Sequence, residues 1–321
     1  MKFYTDLDNF DLKLFLSHNH FYETYHNWFY LCMLPKQMKL NFLNKVSSIT
    51  KAAFQSILNV DEEFCSSIME CDYVLLPPTS IHENFIQKYK LQIKNAINHN
   101  KKIVIFFGND NDSSYNIPDK MGIVFRSSGL LSEAEDNVFG LPTINLDLFS
   151  KNYISKKLSI SFCGYFDSDI LEYQTRITVV NKFLKEIPKK CDFIINSSWG
   201  YLNEPLRFYK NIRNNLYGLC IRGGGNFSFR LGEVLMMGRI PILIDTNCIL
   251  PFKNLIPYDT NFIRIPIQEI DNMVNIIENY HESHTEEELI QIQKENRIIW
   301  ETYYTPSNSF IQVKSIINNY R

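Results

Sequence analysis

The stretch Cys220–Asn247, CIRGGGNFSFRLGEVLMMGRIPILIDTN, decides how the chain is read. Three consecutive glycines, Gly223, Gly224 and Gly225, separate an apolar run ending at Ile221 from a segment with helical spacing, and a second apolar run leads to Asp245. Strand, tight turn, helix and strand make a β/α/β unit, and such a turn brings backbone amides close to an anion. The helix is expected to begin near Phe227. Arg222 then precedes the glycines and Arg230 lies one turn in, both suited to two-pronged contacts with phosphate oxygens. Glu233 follows on the same helix face. Arginines for phosphate beside a carboxylate for sugar hydroxyls suit a nucleoside diphosphate, with Gly223, Gly224, Gly225, Asn226, Phe227 and Ser228 as its backbone cradle. Gly238 is placed to end the helix, and Pro241, which has no N–H, belongs at the start of the next strand.

Outward from this unit the second half keeps alternating. LSISFCGYF, CDFII, YGLCI and FIRIPI read as strands, and LNEPLRFYKNIRNN and a stretch through Val179–Leu184 as helices. Thr285 opens a capping box with Glu288 before LIQIQKENRIIWETYY, and Ser307 or Asn308 is expected to cap a terminal helix. The first half repeats the theme. KFYT, DYVLL, KKIVIFF and IVFRSS read as strands, and HENFIQKYKLQIKNAI as a helix capped by Thr79 or Ser80. Alternation of this kind predicts parallel sheets covered by helices. The periodic signal lapses between Leu141 and Lys157. The expected division is therefore an N-terminal Rossmann-like domain over 1–150, a C-terminal one over 151–305, and a helix over 306–321 that crosses back to the first.

Composition narrows the function. The 321 residues are 45% hydrophobic and 21% charged with net charge -2, which describes a globular chain without the basic field expected of a nucleic-acid partner. Seven cysteines without a C-x-x-C pair, several inside apolar strands, read as reduced thiols and point to the cytoplasm. No apolar stretch reaches the roughly 20 residues of a membrane span, and MKFYTDLDNF lacks the form of a signal peptide. Peripheral attachment to a membrane is compatible with this reading.

A dinucleotide fingerprint competes for the glycines. Gly223 and Gly225 fit the first two positions of G-x-G-x-x-G and Asp245 stands where a ribose-binding acid belongs, but Ser228 replaces the third glycine. Such a chain would be an NAD(P)-binding oxidoreductase.

The residues also carry a family resemblance. NFSFRLGEVLMMGRIPILIDTNCILPF resembles the signature of exostosin-like glycosyltransferases, family 47, in Ser228, Phe229, Arg230 and Glu233, then Gly238 and Pro241, then Leu250, Pro251 and Phe252. The resemblance spans about thirty residues strongly; FCGYFDS and NRIIWETYYTPSNSF fit its surroundings more loosely. It implies an α/β GT-B architecture, with two Rossmann-like β/α/β domains facing across a cleft. It further implies inverting transfer from a nucleotide diphosphate donor, UDP-linked, to a growing glycan or glycoconjugate, with no metal and no cofactor. A catalytically degenerate glycan-binding protein is the remaining alternative.

Inverting transfer needs a base at the edge of the N-terminal sheet. Asp110 and Asp112 follow one strand, and His82 and Glu83 follow another; Glu133 is a further candidate. Asp110-Asn111-Asp112 spells D-x-D, but within a loop rich in Gly, Asn and Ser, and no metal is assigned to it. His18, His20 and His26 match no metal-site spacing. His281 and His284, beside the capping box, are expected to be exposed. Tyr165 and Phe166 are expected to line the cleft.

Overall fold

The structure, a computed structural model, describes residues 1–5, 33, 36–44, 63–76, 85–108, 110, 121–145, 147, 152–165, 169–196 and 205–320. His82, Glu83, Asp112, Phe166, the three N-terminal histidines and the helix caps Thr79 and Ser80 lie outside the described residues.

Two parallel sheets organise the chain. The first contains β1 (Lys2–Tyr4), β2 (Glu63–Phe64), β3 (Tyr73–Leu76), β4 (Lys102–Phe107), β5 (Gly122–Arg126) and β6 (Val138–Gly140), in the order β2-β1-β3-β4-β5-β6. The second contains β7 (Ile160–Tyr165), β8 (Cys191–Asn196), β9 (Tyr217–Cys220), β10 (Ile240–Asp245) and β11 (Ile263–Pro266), in the order β11-β10-β9-β7-β8. Among the described residues the helices in chain order are α1 (Lys36–Leu43), α2 (Phe85–Asn98), α3 (Gln174–Glu186), α4 (Pro205–Arg213), α5 (Arg230–Met236), α6 (Met273–Ser283), α7 (Glu286–Tyr303) and α8 (Pro306–Asn319). The two-sheet α/β architecture expected from the sequence is the one observed.

β4 shows why its sequence reads as one apolar run. Ile103, Ile105 and Phe107 pack into the cluster shared with Tyr89 and Ala96 of α2, while Val104 and Phe106 face the opposite cluster. Both faces are covered, so no polar alternation survives. In the second sheet Ile240, Ile242 and Ile244 of β10 join Tyr217, Leu219 and Ile221 in a separate core.

One apolar cluster crosses between the sheets. It runs from Phe3, Leu75, Val104 and Phe106 through Leu231, Val234 and Leu250 to Trp300 and Phe310. The seam is also hydrogen-bonded: Leu131 N donates to Asn247 O at 2.8 Å, and Leu130 and Gly140 form bridges with Cys248 and Pro251. The Leu250-Pro251-Phe252 turn therefore lies on this seam. Phe252 adopts φ +47°, and Tyr258 OH donates to Pro251 O at 2.8 Å. α8 lies against the first sheet, where Tyr73 OH donates to Ile317 O at 2.9 Å and Lys102 Nζ to Tyr320 O at 3.1 Å.

Several local expectations are corrected. α5 starts at Arg230, not near Phe227, because Phe227 N bonds Gly225 O and Gly223 N bonds Phe227 O, closing a loop that holds the chain out of helix until Phe229. The N-cap position of α8 is Thr305 rather than Ser307 or Asn308, with no side-chain cap hydrogen bond there; Pro306 takes the first helical position, where its fixed φ fits and its missing N–H costs nothing. β2 and β6, of two and three residues, are strands in addition to those read from sequence. The Thr285–Glu288 capping box forms as expected, with Thr285 N donating to Glu288 Oε2 at 2.7 Å and Glu288 N to Thr285 Oγ1 at 3.2 Å. His281 and His284 are half-buried instead of exposed, because His281 Nδ1 meets the Tyr217 hydroxyl at 2.9 Å and His284 Nδ1 meets Tyr280 O at 2.7 Å.

Candidate functional site

In the second sheet the chain steps from β7 to β8 on one side and returns to β9 on the other, so β7 and β9 flank the point where strand order reverses. Ligands of open parallel sheets bind in the crevice beyond the strand carboxyl ends at this point. The β7–β9 ladder pairs only Ile160 with Tyr217 and Ser161 with Gly218. Beyond those pairs, arginine side chains reach the carbonyls at the strand ends. Arg230 Nη2 donates to Cys163 O, and Arg176 donates through Nη1 to Tyr165 O at 2.7 Å and through Nη2 to Ile221 O at 3.4 Å. The glycine turn leaves β9 directly beside them.

Arg230 is held from several directions. Its guanidinium lies 5.0 Å from the Phe162 ring centroid and 4.8 Å from that of Phe208, and the residue is 8% exposed. Nη1 has no hydrogen-bond partner among the described residues. An aromatic clamp of this kind fixes the direction of a charge that a free arginine would sample through many rotamers. Glu233, three residues on, is half-buried; burial pushes its carboxyl up to about 7, with Arg230 pulling in the opposite direction. A carboxyl that titrates near neutrality can accept hydrogen bonds from hydroxyls when ionised and donate one when protonated.

Arg222 donates to Gly224 O at 3.3 Å. Burial pushes the Cys248 thiol, just past β10, up to about 12; Asp245 adds to the rise, and the guanidiniums of Arg264 and Arg222 oppose it. Asn226 belongs to the seam: its N donates to Ser128 Oγ at 2.7 Å, and its Nδ2 to Gly129 O at 3.0 Å and Thr246 O at 3.3 Å, while its Oδ1 accepts from Thr246 Oγ1. The Asn226 side chain is thus directed at protein groups, with no exposed surface. Phe227 packs edge-on against Phe229, 4.9 Å between centroids. Ser228 O accepts from Leu231 N at 3.2 Å, closing the first turn of α5.

The first sheet reaches the same turn. Asp110, exposed and three residues beyond β4, has its Oδ2 3.4 Å from the position of a Cβ built on Gly224 and its Cα 2.8 Å from one built on Gly225. Ser128 Oγ is also 2.8 Å from the latter. Gly225 is a glycine because Phe227 of its own turn, at 2.7 Å, and Asp110 and Ser128 of the opposite half occupy the space a side chain would need. The structure thus gathers Arg222, Arg176 and Asp110 around Gly223, Gly224 and Gly225, with Arg230 at the neighbouring end of β7 and Glu233 within its electrostatic reach. Glu133 is exposed on a 3₁₀ turn whose neighbour Ser132 accepts from Asn247 Nδ2 at 2.7 Å. Tyr165 stacks edge-on against Tyr173 at 5.8 Å.

Arg176 is the residue that sequence reading passed over. It sits in the first turn of α3, and its role appears only once β7 and β9 are adjacent. The available signal was positional, since the helix after a switch-point strand starts at the crevice. Asp245, the acid of the dinucleotide alternative, is otherwise engaged: Arg264 Nε and Nη2 meet its Oδ2 at 2.8 and 2.7 Å, and Asn247 N meets its Oδ1 at 2.9 Å. The six described cysteines are free thiols, and Cys32 lies outside the described residues. Among the described residues no group of three His, Cys, Asp or Glu side chains is arranged to hold a metal ion, and no helix is long and apolar enough to cross a membrane.

Comparison with known proteins gives short sequence matches and distant structural ones. No family model matches the chain. A probable glucuronosyltransferase of Oryza sativa subsp. japonica is 27% identical over 73 residues, 23% of this chain and 17% of the rice protein. A second from the same organism is 27% identical over 75 residues, 23% of this chain and 18% of its own length. The chain therefore matches less than a fifth of either relative. Among solved structures, the GtfA/B complex superposes with TM-score 0.45 at 13% identity, covering 77% of this chain and 57% of that one. S. aureus TarM, in complex with fondaparinux, alpha-GlcNAc-glycerol and UDP, gives 0.43 at 12%, covering 84% and 54%. The pneumococcal O-GlcNAc transferase GtfA, in complex with UDP and GlcNAc, gives 0.42 at 14%, covering 77% and 56%.

Proposed function

We propose that the chain is a glycosyltransferase of GT-B type that uses a UDP-linked sugar. The observation that carries this reading is the glycine turn at the β7/β9 switch point, flanked by guanidiniums and faced by Asp110 from the other sheet. The local match to two rice proteins named as probable glucuronosyltransferases supports it, as does the resemblance of Ser228–Phe252 to the exostosin-like signature. The engagement of Asp245 by Arg264 weighs against the dinucleotide alternative.

In this reading the donor diphosphate lies along Gly223–Gly225, Arg222 and Arg230 offset its charge, and Glu233 receives the ribose hydroxyls. A glycan or glycoconjugate acceptor enters from the N-terminal side. Its hydroxyl oxygen attacks the anomeric carbon from the face opposite the diphosphate and inverts it. The new carbon–oxygen bond forms as the bond to the diphosphate breaks, UDP departs, and the hydroxyl proton passes to a base. Asp110 is our proposed base, and Asp112, His82 and Glu83 lie on the same half of the sequence as alternatives. Charge stabilisation by arginines makes a metal unnecessary, and the reaction needs no cofactor. A cytoplasmic location, with peripheral attachment to a membrane as a variant, fits donor supply.

UDP at about a hundred times its Kd should stabilise the chain by about 2.7 kcal/mol, raising Tm by about 4 °C. Arg222→Ala should remove most of that rise. A Tm that no nucleoside diphosphate moves would sink the reading.

A further inference from the structure

We infer that the donor crevice stands assembled before any nucleotide arrives: a backbone ladder between Gly129–Leu131 and Asn247–Ile249 fixes the two halves as one body, and UDP enters and leaves without parting them. The second clause rests on the proposed UDP-linked donor; the first stands without it.

Each side of the ladder leaves the carboxyl end of a sheet. Gly129 follows the last residue of β5 by three positions, and Asn247 follows that of β10 by two. Leu131 N donates to Asn247 O at 2.8 Å and Ile249 N to Gly129 O at 3.3 Å, so Leu130 and Cys248 face each other as an antiparallel pair with no hydrogen bond directly between them. Side chains reinforce the ladder at both ends. Asn247 Nδ2 donates to Ser132 Oγ at 2.7 Å, and Asn226, within the glycine turn itself, donates through N to Ser128 Oγ at 2.7 Å and through Nδ2 to Gly129 O at 3.0 Å. A Cβ on Gly129 would stand 2.9 Å from Ile249 Cδ1, and one on Gly140 would stand 2.4 Å from Leu250 O. At Gly140 the halves therefore meet backbone against backbone, where no side-chain rotation can loosen them.

A hinge motion preserves only the contacts that lie on its axis. Those between the halves are spread both along the first sheet and across it. α8 is fastened to α7 by Asn308 Nδ2 on Glu301 O at 2.8 Å. It then holds β3 and β4 at their amino ends, where Tyr73 OH donates to Ile317 O and Lys102 Nζ to Tyr320 O. The ladder lies beyond the carboxyl end of β5, and Gly140 of β6 pairs with Pro251. Six residues of β4 separate the two ends by about 16 Å, and β3 to β6 spans about 14 Å of sheet width. No single axis passes through all of these contacts. Opening the crevice would break the ladder or strip α8 from the sheet, and either would uncover the apolar cluster that runs from Phe3 to Phe310.

Asp110 and Ser128 then stand at Gly225 in the free chain as they do in the bound one. A crevice held in one state has no population to shift, so nucleotide affinity is not reduced by a closing step and release waits for no opening.

Hydrogen exchange at single amides of the full chain, without nucleotide, reads the ladder directly. The N–H groups of Leu131 and Ile249 should exchange as slowly as those of β4 and β10, and saturating UDP should change neither by more than about threefold. Exchange at both amides more than about tenfold faster than in those strands would overturn the inference. A second measurement closes the seam covalently. The paired Cα atoms of Leu130 and Cys248 lie about 4.5 Å apart, within disulfide range. In Leu130→Cys, diamide takes the two thiol hydrogens and becomes the hydrazine as the S–S bond to Cys248 forms, and peptide mass verifies the bond. Wild type treated alike controls for the other cysteines. By calorimetry the oxidised variant should bind UDP within about threefold of the reduced one. A loss beyond about tenfold that reduction restores would show that UDP needs the halves to part, and would overturn the inference. A chain that binds no UDP in either state would overturn the donor reading, while the exchange at Leu131 and Ile249 still decides whether the halves are one body.

Discussion

Replacing Arg230 with alanine is expected to remove UDP binding and to lower the rate of sugar transfer by about a hundredfold or more. The guanidinium sits between Phe162 and Phe208 and donates to Cys163 O, so its direction is set by the fold and not by the ligand. Truncation leaves that carbonyl without its donor, opens a void between two rings, and removes the cation nearest Glu233. About 3 kcal/mol of stability should go with it, seen as a lower Tm in the absence of nucleotide. The Glu233 carboxyl already sits at about 7 through burial and will rise further. The sign of its pH effect follows. A carboxyl with a raised folded pKa binds more protons folded than unfolded, so stability falls as pH climbs from its unfolded value to its folded one, and levels off above. In Arg230→Ala that decline should extend to higher pH than in wild type. Arg230→Lys keeps a charge without the flat stacking surface, and should recover stability more than rate. If Arg230→Ala binds UDP as wild type does, the arginine has no part in the site.

The second large effect is expected at the seam between the sheets. Gly140→Ala should destabilise the chain by about 3 kcal/mol, a fall in Tm of about 4–5 °C. A Cβ at Gly140 would stand 2.4 Å from Leu250 O, 2.5 Å from Leu250 C and 2.8 Å from Pro251 N. All three are backbone atoms, so no side-chain rotation relieves the contact and β6 must part from the Leu-Pro-Phe turn. Gly224→Ala is the control, since its nearest neighbour is the carboxylate of Asp110 at 3.4 Å, an ordinary contact; its Tm should stay within about 2 °C of wild type, a change of no more than about 1 kcal/mol. Thermal denaturation of the two variants side by side decides the matter. An unchanged Tm for Gly140→Ala would mean that the seam between the sheets yields easily, contrary to its continuous apolar packing.

The elements that were legible in sequence are those whose signal is local. KIVIFF reads as a strand because both of its faces are buried, and Thr285 reads as a cap because its partner Glu288 is three residues away. The glycine run reads as the break between β9 and α5 for the same reason. What was not legible depends on residues distant in sequence. The start of α5 is delayed to Arg230 by a loop closed on itself and by Ser128, which takes the N–H of Asn226 from across the seam. Asn226 reads in sequence as part of the backbone cradle, yet its N–H donates to Ser128 Oγ and both ends of its side-chain amide meet protein groups at Gly129 and Thr246. Arg176 carries no motif, because its partners Tyr165 and Ile221 become neighbours only when β9 returns beside β7. The β2 and β6 strands are too short to show a period and exist through their partners, β1 and β5.

The central claim is that Arg222–Arg230 forms a nucleoside-diphosphate site completed by the first sheet at Asp110 and Ser128. Amide hydrogen exchange with and without UDP tests it most directly. The account predicts slowed exchange on adding UDP at Gly223, Gly224 and Gly225 and at the start of α5, with a smaller effect at Asp110 and Ser128. Protection confined to other segments, or none at saturating UDP, would contradict it.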